Sequence, residues 1–277
     1  MSLLFEVDLE PLGDEGAEFC LKNEPGQLQR SSVVERGNAL VVQCKLAEVV
    51  HGLLCPDSNI PCTLAIFEFN FQPTRLKRRF TEVNISIVFA TTDPNRAHFD
   101  PEVRSIAPFG HFSLYPTTEK VELKRSANLS VEGGIGVQVG AGFGWELTNS
   151  MDKMDTTKVS GMIRFRNHKE GGKKNAAEWT LLENSSRRSG VPTFLRTAVL
   201  LGRREDDMEL FTATVKIDAN VDLLSAFGDT IQKMFGKIPR DDPIVFSPLE
   251  PPTTHEIDMR NLGEVDLQRL SVISSTA

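Results

Sequence analysis

A chain of 277 residues with 40% hydrophobic and 25% charged residues has an ordinary globular composition and enough length to bury a sizeable core, which excludes wholesale disorder. A formal net charge of −7 argues against a partner held by global attraction to phosphate, so no nucleic acid is expected. No run approaches the roughly 18 apolar residues of a membrane-crossing helix. The opening MSLLFEVDLEPLGDEG lacks the basic start and apolar centre of a secretory signal, so a cytoplasmic or nucleocytoplasmic location with reduced thiols is expected.

Most of the chain alternates with period two, which predicts a mainly β protein, an antiparallel β-sandwich. Residues 1–36 read as an irregular N-terminal arm, 37–238 as the sandwich domain and 239–277 as a Pro-rich C-terminal tail running over it. Residues 40–54 are ambiguous: Val41, Val42, Val49 and Val50 favour strand, whereas KLAEVV suits a helical turn. In 62–71, Ala65, Phe67, Phe69 and Phe71 share one face; in 83–89, Val83, Ile85, Ile87 and Phe89 do the same. Further strands are expected over 159–165, 193–201 and 210–219. One C-terminal amphipathic helix is predicted at 221–235, where Leu223, Leu224, Phe227, Ile231 and Met234 form a stripe between Asn220 and Gly236.

Residues 129–147, LSVEGGIGVQVGAGFGWEL, stand apart. Their odd positions, among them Ile135, Val137, Val139, Phe143 and Trp145, are almost all apolar, and the even positions are glycine or polar. Strands of soluble proteins usually run about 3–10 residues, so this alternation is long. With a turn at 148–156 and a return strand at 159–165, it predicts a Gly-rich hairpin over 129–166. The favoured reading puts its apolar face in the sandwich core, with glycines admitting a close neighbour. The alternative is a membrane-inserting hairpin, since a barrel strand needs about 9–11 residues with lipid-facing apolar and lumen-facing small or polar side chains. Trp145 would then anchor at the interface. A glycine phosphate cradle is disfavoured because no helix follows.

Cys44, His51, Cys55 and Cys62 supply the residue types of a Cys₃His zinc site, but their spacing fits no compact knuckle; packed thiols are preferred and no metal or cofactor is expected. Arg75, Lys77, Arg78 and Arg79 form a basic run that reads as a solvated strand edge or turn. Under the membrane reading this run, with Arg187/Arg188 and Arg203/Arg204, would meet acidic headgroups. No nucleophile elbow, metalloprotease helix, Walker loop or kinase signature occurs, and the five histidines are scattered, so no catalytic residue is assigned. An enzyme of an unfamiliar kind is the third class.

The stretches RSIAPFGHFSLYPT, WTLLENSSRRSGVP and DDPIVFSPLEPP resemble uncharacterised proteins of filamentous fungi. The resemblance implies a eukaryotic cytosolic origin and no activity, cofactor or site. The leading expectation is a non-enzymatic binding or interaction module with a protein partner or self-association. A pore-forming protein acting on an anionic membrane surface is the alternative.

Overall fold

The alternating segments form strands. The computed structural model describes residues 21–36, 40–73, 78–127, 145–166, 173–204, 207–225, 228–234, 241–254 and 256–275. Its strands are β1 (Ser32–Arg36), β2 (Leu40–Leu53), β3 (Pro61–Pro73), β4 (Arg78–Thr91), β5 (Glu102–Ala107), β6 (Gly110–Ala127) and β7 (Trp145–Arg164). They continue with β8 (Ala176–Leu182), β9 (Phe194–Gly202), β10 (Phe211–Ser225), β11 (Gly228–Met234), β12 (Ile244–Phe246) and β13 (Val272–Ser274). One sheet has the order β1-β2-β3-β9-β13 with β5 also on β9; the other runs β11-β10-β4-β8-β7-β6 with β12 also on β10. The architecture is an antiparallel β-sandwich.

Alternation places the core. Phe67, Phe69 and Phe71 of β3 join Val83, Ile85, Ile87 and Phe89 of β4 and Trp179 of β8 in one buried cluster; a fully buried side chain of this size stabilises the fold by roughly 1.5–3 kcal/mol. The ambiguous segment 40–54 is strand β2. A register shift between Leu46 and Glu48 is the bulge that breaks its alternation. Val49 consequently falls in the main core while the adjacent Val50 joins a second cluster on the outer face.

The C-terminal segment contributes to that second cluster. Val50, Cys62, Leu64, Ile66, Ala198 and Leu200 are buried together with Leu262 and Leu267 of the C-terminal segment. β12 pairs with the start of β10, and β13 with the start of β9. Gly52 lets the segment approach: a Cβ there would lie 1.9 Å from the Met259 carbonyl oxygen, which accepts from the Leu53 N–H at 2.8 Å. The expected arm is also partly built in, since β1 buries Val33 and Val34.

Among the described residues of 221–235 no helix forms. There β10 continues to Ser225, and β11 pairs back on it from Gly228 to Met234. Period two runs unbroken from Phe211 through Ala213, Ile217, Ala219 and Val221, all buried. β4 on one side and β11 on the other supply the backbone hydrogen bonds, and that non-local pairing outweighs a helical stripe. The short C-terminal helix is instead α1 (Leu267–Leu270), whose Asp266 side chain accepts from the Gln268 N–H.

Candidate functional site

One strand pair outgrows its sheet. β7 pairs with β8 only from Lys158 to Arg164, yet its register with β6 continues to Trp145 opposite Ala127. From the Thr117–Asp155 rung to the Ala127–Trp145 rung the two strands form a ribbon about 35 Å long at ~3.3 Å per residue. Neither strand has a third partner there among the described residues. A two-stranded ribbon is marginal in water by itself, and at the Ala127–Trp145 rung both strands of this one lead into residues 128–144.

The hairpin therefore differs from the one the sequence predicts. Val159 pairs with Phe112, and the expected turn at 148–156 lies within β7. Its Thr, Asn, Ser, Asp and Lys residues resemble turn punctuation, but the stretch contains no Gly or Pro, and an extended ribbon tolerates polar residues where no sheet covers it. Trp145 opens β7; Ile135, Val137, Val139 and Phe143 lie outside the described residues. Among the strands that sequence reasoning missed, beside β5 and β8, is β6, whose signal is the alternation of Val121 and Leu123 with Lys120, Glu122 and Lys124.

The ribbon is fastened at its root. β6 shifts register between Leu114 and Thr117, and Tyr115 there adopts φ 52°. Across from it, the Asp155 carboxylate accepts from the Ser185 hydroxyl at 2.7 Å and the Ser186 N–H at 2.9 Å. Asn184 Nδ2 donates to the Asp155 carbonyl at 3.0 Å. The Ser185 hydroxyl, then the Ser186 N–H, hold the Asp155 carboxyl down at about 2. Deeper in the sheet, Trp179 Nε1 donates to the Pro108 carbonyl at 2.9 Å. Gly161 leaves room for that contact, since a Cβ on it would lie 2.0 Å from the same oxygen.

The basic residues separate. Arg75 and Lys77 lie outside the described residues, and Arg78 opens β4. Arg79 pairs with Glu183 at 2.9 Å and also with Asp222, and only 14% of its side chain is exposed; it is part of the fold and not of a free surface. Arg187 and Arg188 are exposed in the β8–β9 connection, at the end of the sandwich where the ribbon leaves. Arg203 and Arg204 follow β9 at the opposite end, where Gly202 pairs with Cys62. There the Arg96 and Arg204 guanidinium carbons stand 4.5 and 4.4 Å from the Phe99 ring centre.

The cysteines do not converge with Cys44. Cys44 and His51 sit seven positions apart on the extended β2, roughly 23 Å along a strand, too far to share one ion. Burial pushes the Cys44 thiol well up. His51 Nδ1 lies 2.9 Å from the Thr63 hydroxyl, and burial, with the nearby Arg203, lowers its pKa to about 4. Among the described residues no group of three His, Cys, Asp or Glu is arranged to hold a metal ion, and no helix is long and apolar enough to cross a membrane.

No protein-family model matches the chain, and no curated protein matches its sequence. Among solved structures it is similar to the Clostridium perfringens NetB toxin in its membrane-inserted form, with 9% identity over 78% of this chain and 92% of that one and a TM-score of 0.29. It is similar to a pore forming protein, with 9% identity over 71% and 82% and a TM-score of 0.33. A third likeness is to Clostridium perfringens delta-toxin, with 10% identity over 77% and 94% and a TM-score of 0.27. At these scores the likeness assigns no activity to the chain.

Proposed function

We propose that the chain is a membrane-active, pore-forming β-sandwich protein that inserts the hairpin built on β6 and β7. The observation that carries this reading is the ribbon: two strands leave the sandwich together, open at both edges among the described residues, and lead into the long apolar and glycine alternation of 129–147. In hydrocarbon every backbone N–H and C=O must be paired, so a hairpin crosses a bilayer only within a closed barrel. One hairpin cannot close, and further copies of the chain supply the missing strands. Ile135, Val137, Val139 and Phe143 would face lipid, with Trp145 at the interface. Arg187 and Arg188, exposed at the ribbon end, suit acidic headgroups.

Dye release from phosphatidylserine-containing liposomes tests the reading. The folded full-length protein is expected to release dye and to form cross-linkable oligomers on the vesicles. The double substitution Val137→Asp and Val139→Asp should abolish release without moving the urea midpoint of the soluble protein. No release from folded wild type sinks the proposal. A collapsed midpoint in the double variant would instead place both valines in a soluble core and favour the binding-module reading.

A further inference from the structure

At the end of the sandwich opposite the ribbon, two polar side chains meet on one aromatic ring. His51 of β2 stands edge-on to Phe211, the first residue of β10, with ring centres 6.5 Å apart. The guanidinium carbon of Arg203, just past β9, stands 5.9 Å from the centre of the same ring. His51 and Arg203 are each more than nine-tenths buried, and Thr63, which holds His51 Nδ1, is fully buried. A buried guanidinium normally meets a carboxylate, because an unpaired charge away from water is costly. Among the described residues Arg203 has no such partner. Its Nη1 donates to the Asp207 backbone carbonyl, whereas the Asp207 carboxylate accepts from the Glu209 N–H at 3.1 Å. Arg203 Nε and His51 Nε2 are both without a partner. With the Thr63 hydroxyl donating to Nδ1, the ring proton sits on Nε2, which leaves two N–H donors, one of them cationic, lacking an acceptor.

From this juxtaposition we infer that His51, Thr63 and Arg203 form an anion site that takes a small carboxylate on the two free N–H groups. Both nitrogens are out of contact with solvent, so the bound ion is dehydrated, which favours a small monoanion over sulfate or phosphate. Arg203 is the charged group that faces His51, and Asp207 and the Cys62 thiol are those that face Arg203. A carboxylate bound beside the imidazole favours its protonated form, whose pKa is about 4 in the empty site. By linkage, binding therefore tightens as pH falls. The site is independent of the ribbon and of the pore reading.

Titration of the full-length, ¹⁵N-histidine-labelled protein with sodium formate or acetate at constant ionic strength tests this through the His51 ring nitrogens. Nε2 is expected to shift saturably, with affinity roughly ten-fold higher at pH 5 than at pH 7.5, as linkage to one proton gives. Sodium sulfate should produce no saturable shift. Arg203→Lys should weaken the response at least about ten-fold, because an ammonium does not reproduce the guanidinium fork, and Arg203→Met should abolish it. The wild-type titration decides the matter even if a variant does not fold: no saturable shift of His51, or an equal response to sulfate, overturns the inference. A shift that survives in folded Arg203→Met overturns it as well.

Discussion

His51 illustrates how one buried side chain shapes the response to acid. It is 9% exposed, bonded to Thr63 and edge-on to Phe211, with Nε2 unpartnered among the described residues. Its pKa falls from an ordinary 6.5 to about 4, so the unfolded chain takes up the proton first. The neutral ring therefore contributes its full stability above about pH 6.5, and that contribution is lost as pH falls to about 4. The span corresponds to about 3 kcal/mol. In urea unfolding, wild type should weaken across this window, and His51→Gln should show a flatter profile between the same limits.

At the scale of elements, the ribbon and the sandwich meet at Asp155. Its carboxylate holds the 184–186 turn against the base of β7, and a pKa near 2 means it stays ionised at any physiological pH. Because the folded value lies below the ordinary one, the stabilisation is present above about pH 4 and disappears as pH falls through 2. Asp155→Asn is expected to lower the urea midpoint at neutral pH, with the gap to wild type closing in acid. Hydrogen exchange should show the amides of β6 and β7 beyond the rung at Asp155 opening faster in the variant, because its root contacts are weakened. An unchanged exchange pattern would show that the root does not hold the ribbon. The same scale explains β11: a strand forms where apolar spacing also suits a helix because β10 already offers an edge there.

For the whole molecule, the C-terminal segment closes the fold and does not hang from it. Ile244, Phe246, Leu262 and Leu267 are buried, at roughly 1.5–3 kcal/mol each, together comparable with the ~5–15 kcal/mol of an entire domain. A protein ending at residue 238 should therefore be insoluble or lose its cooperative thermal transition. A soluble, cooperatively folded truncation would show that the outer face of β3 tolerates water. Much of this organisation was legible beforehand. The paired faces of 62–71 and 83–89 announced two core strands, because side-chain alternation is a local property of extended backbone. Pairing is not local. That Val159 joins Phe112, that 228–234 pairs back on β10 as strand and that Leu262 shares a buried cluster with Leu64 depended on which edges and faces the rest of the chain left open. The sequence by itself determined the β class; the tertiary structure decided where the β6–β7 ribbon is rooted, since only assembled sheets show which strands run past their neighbours.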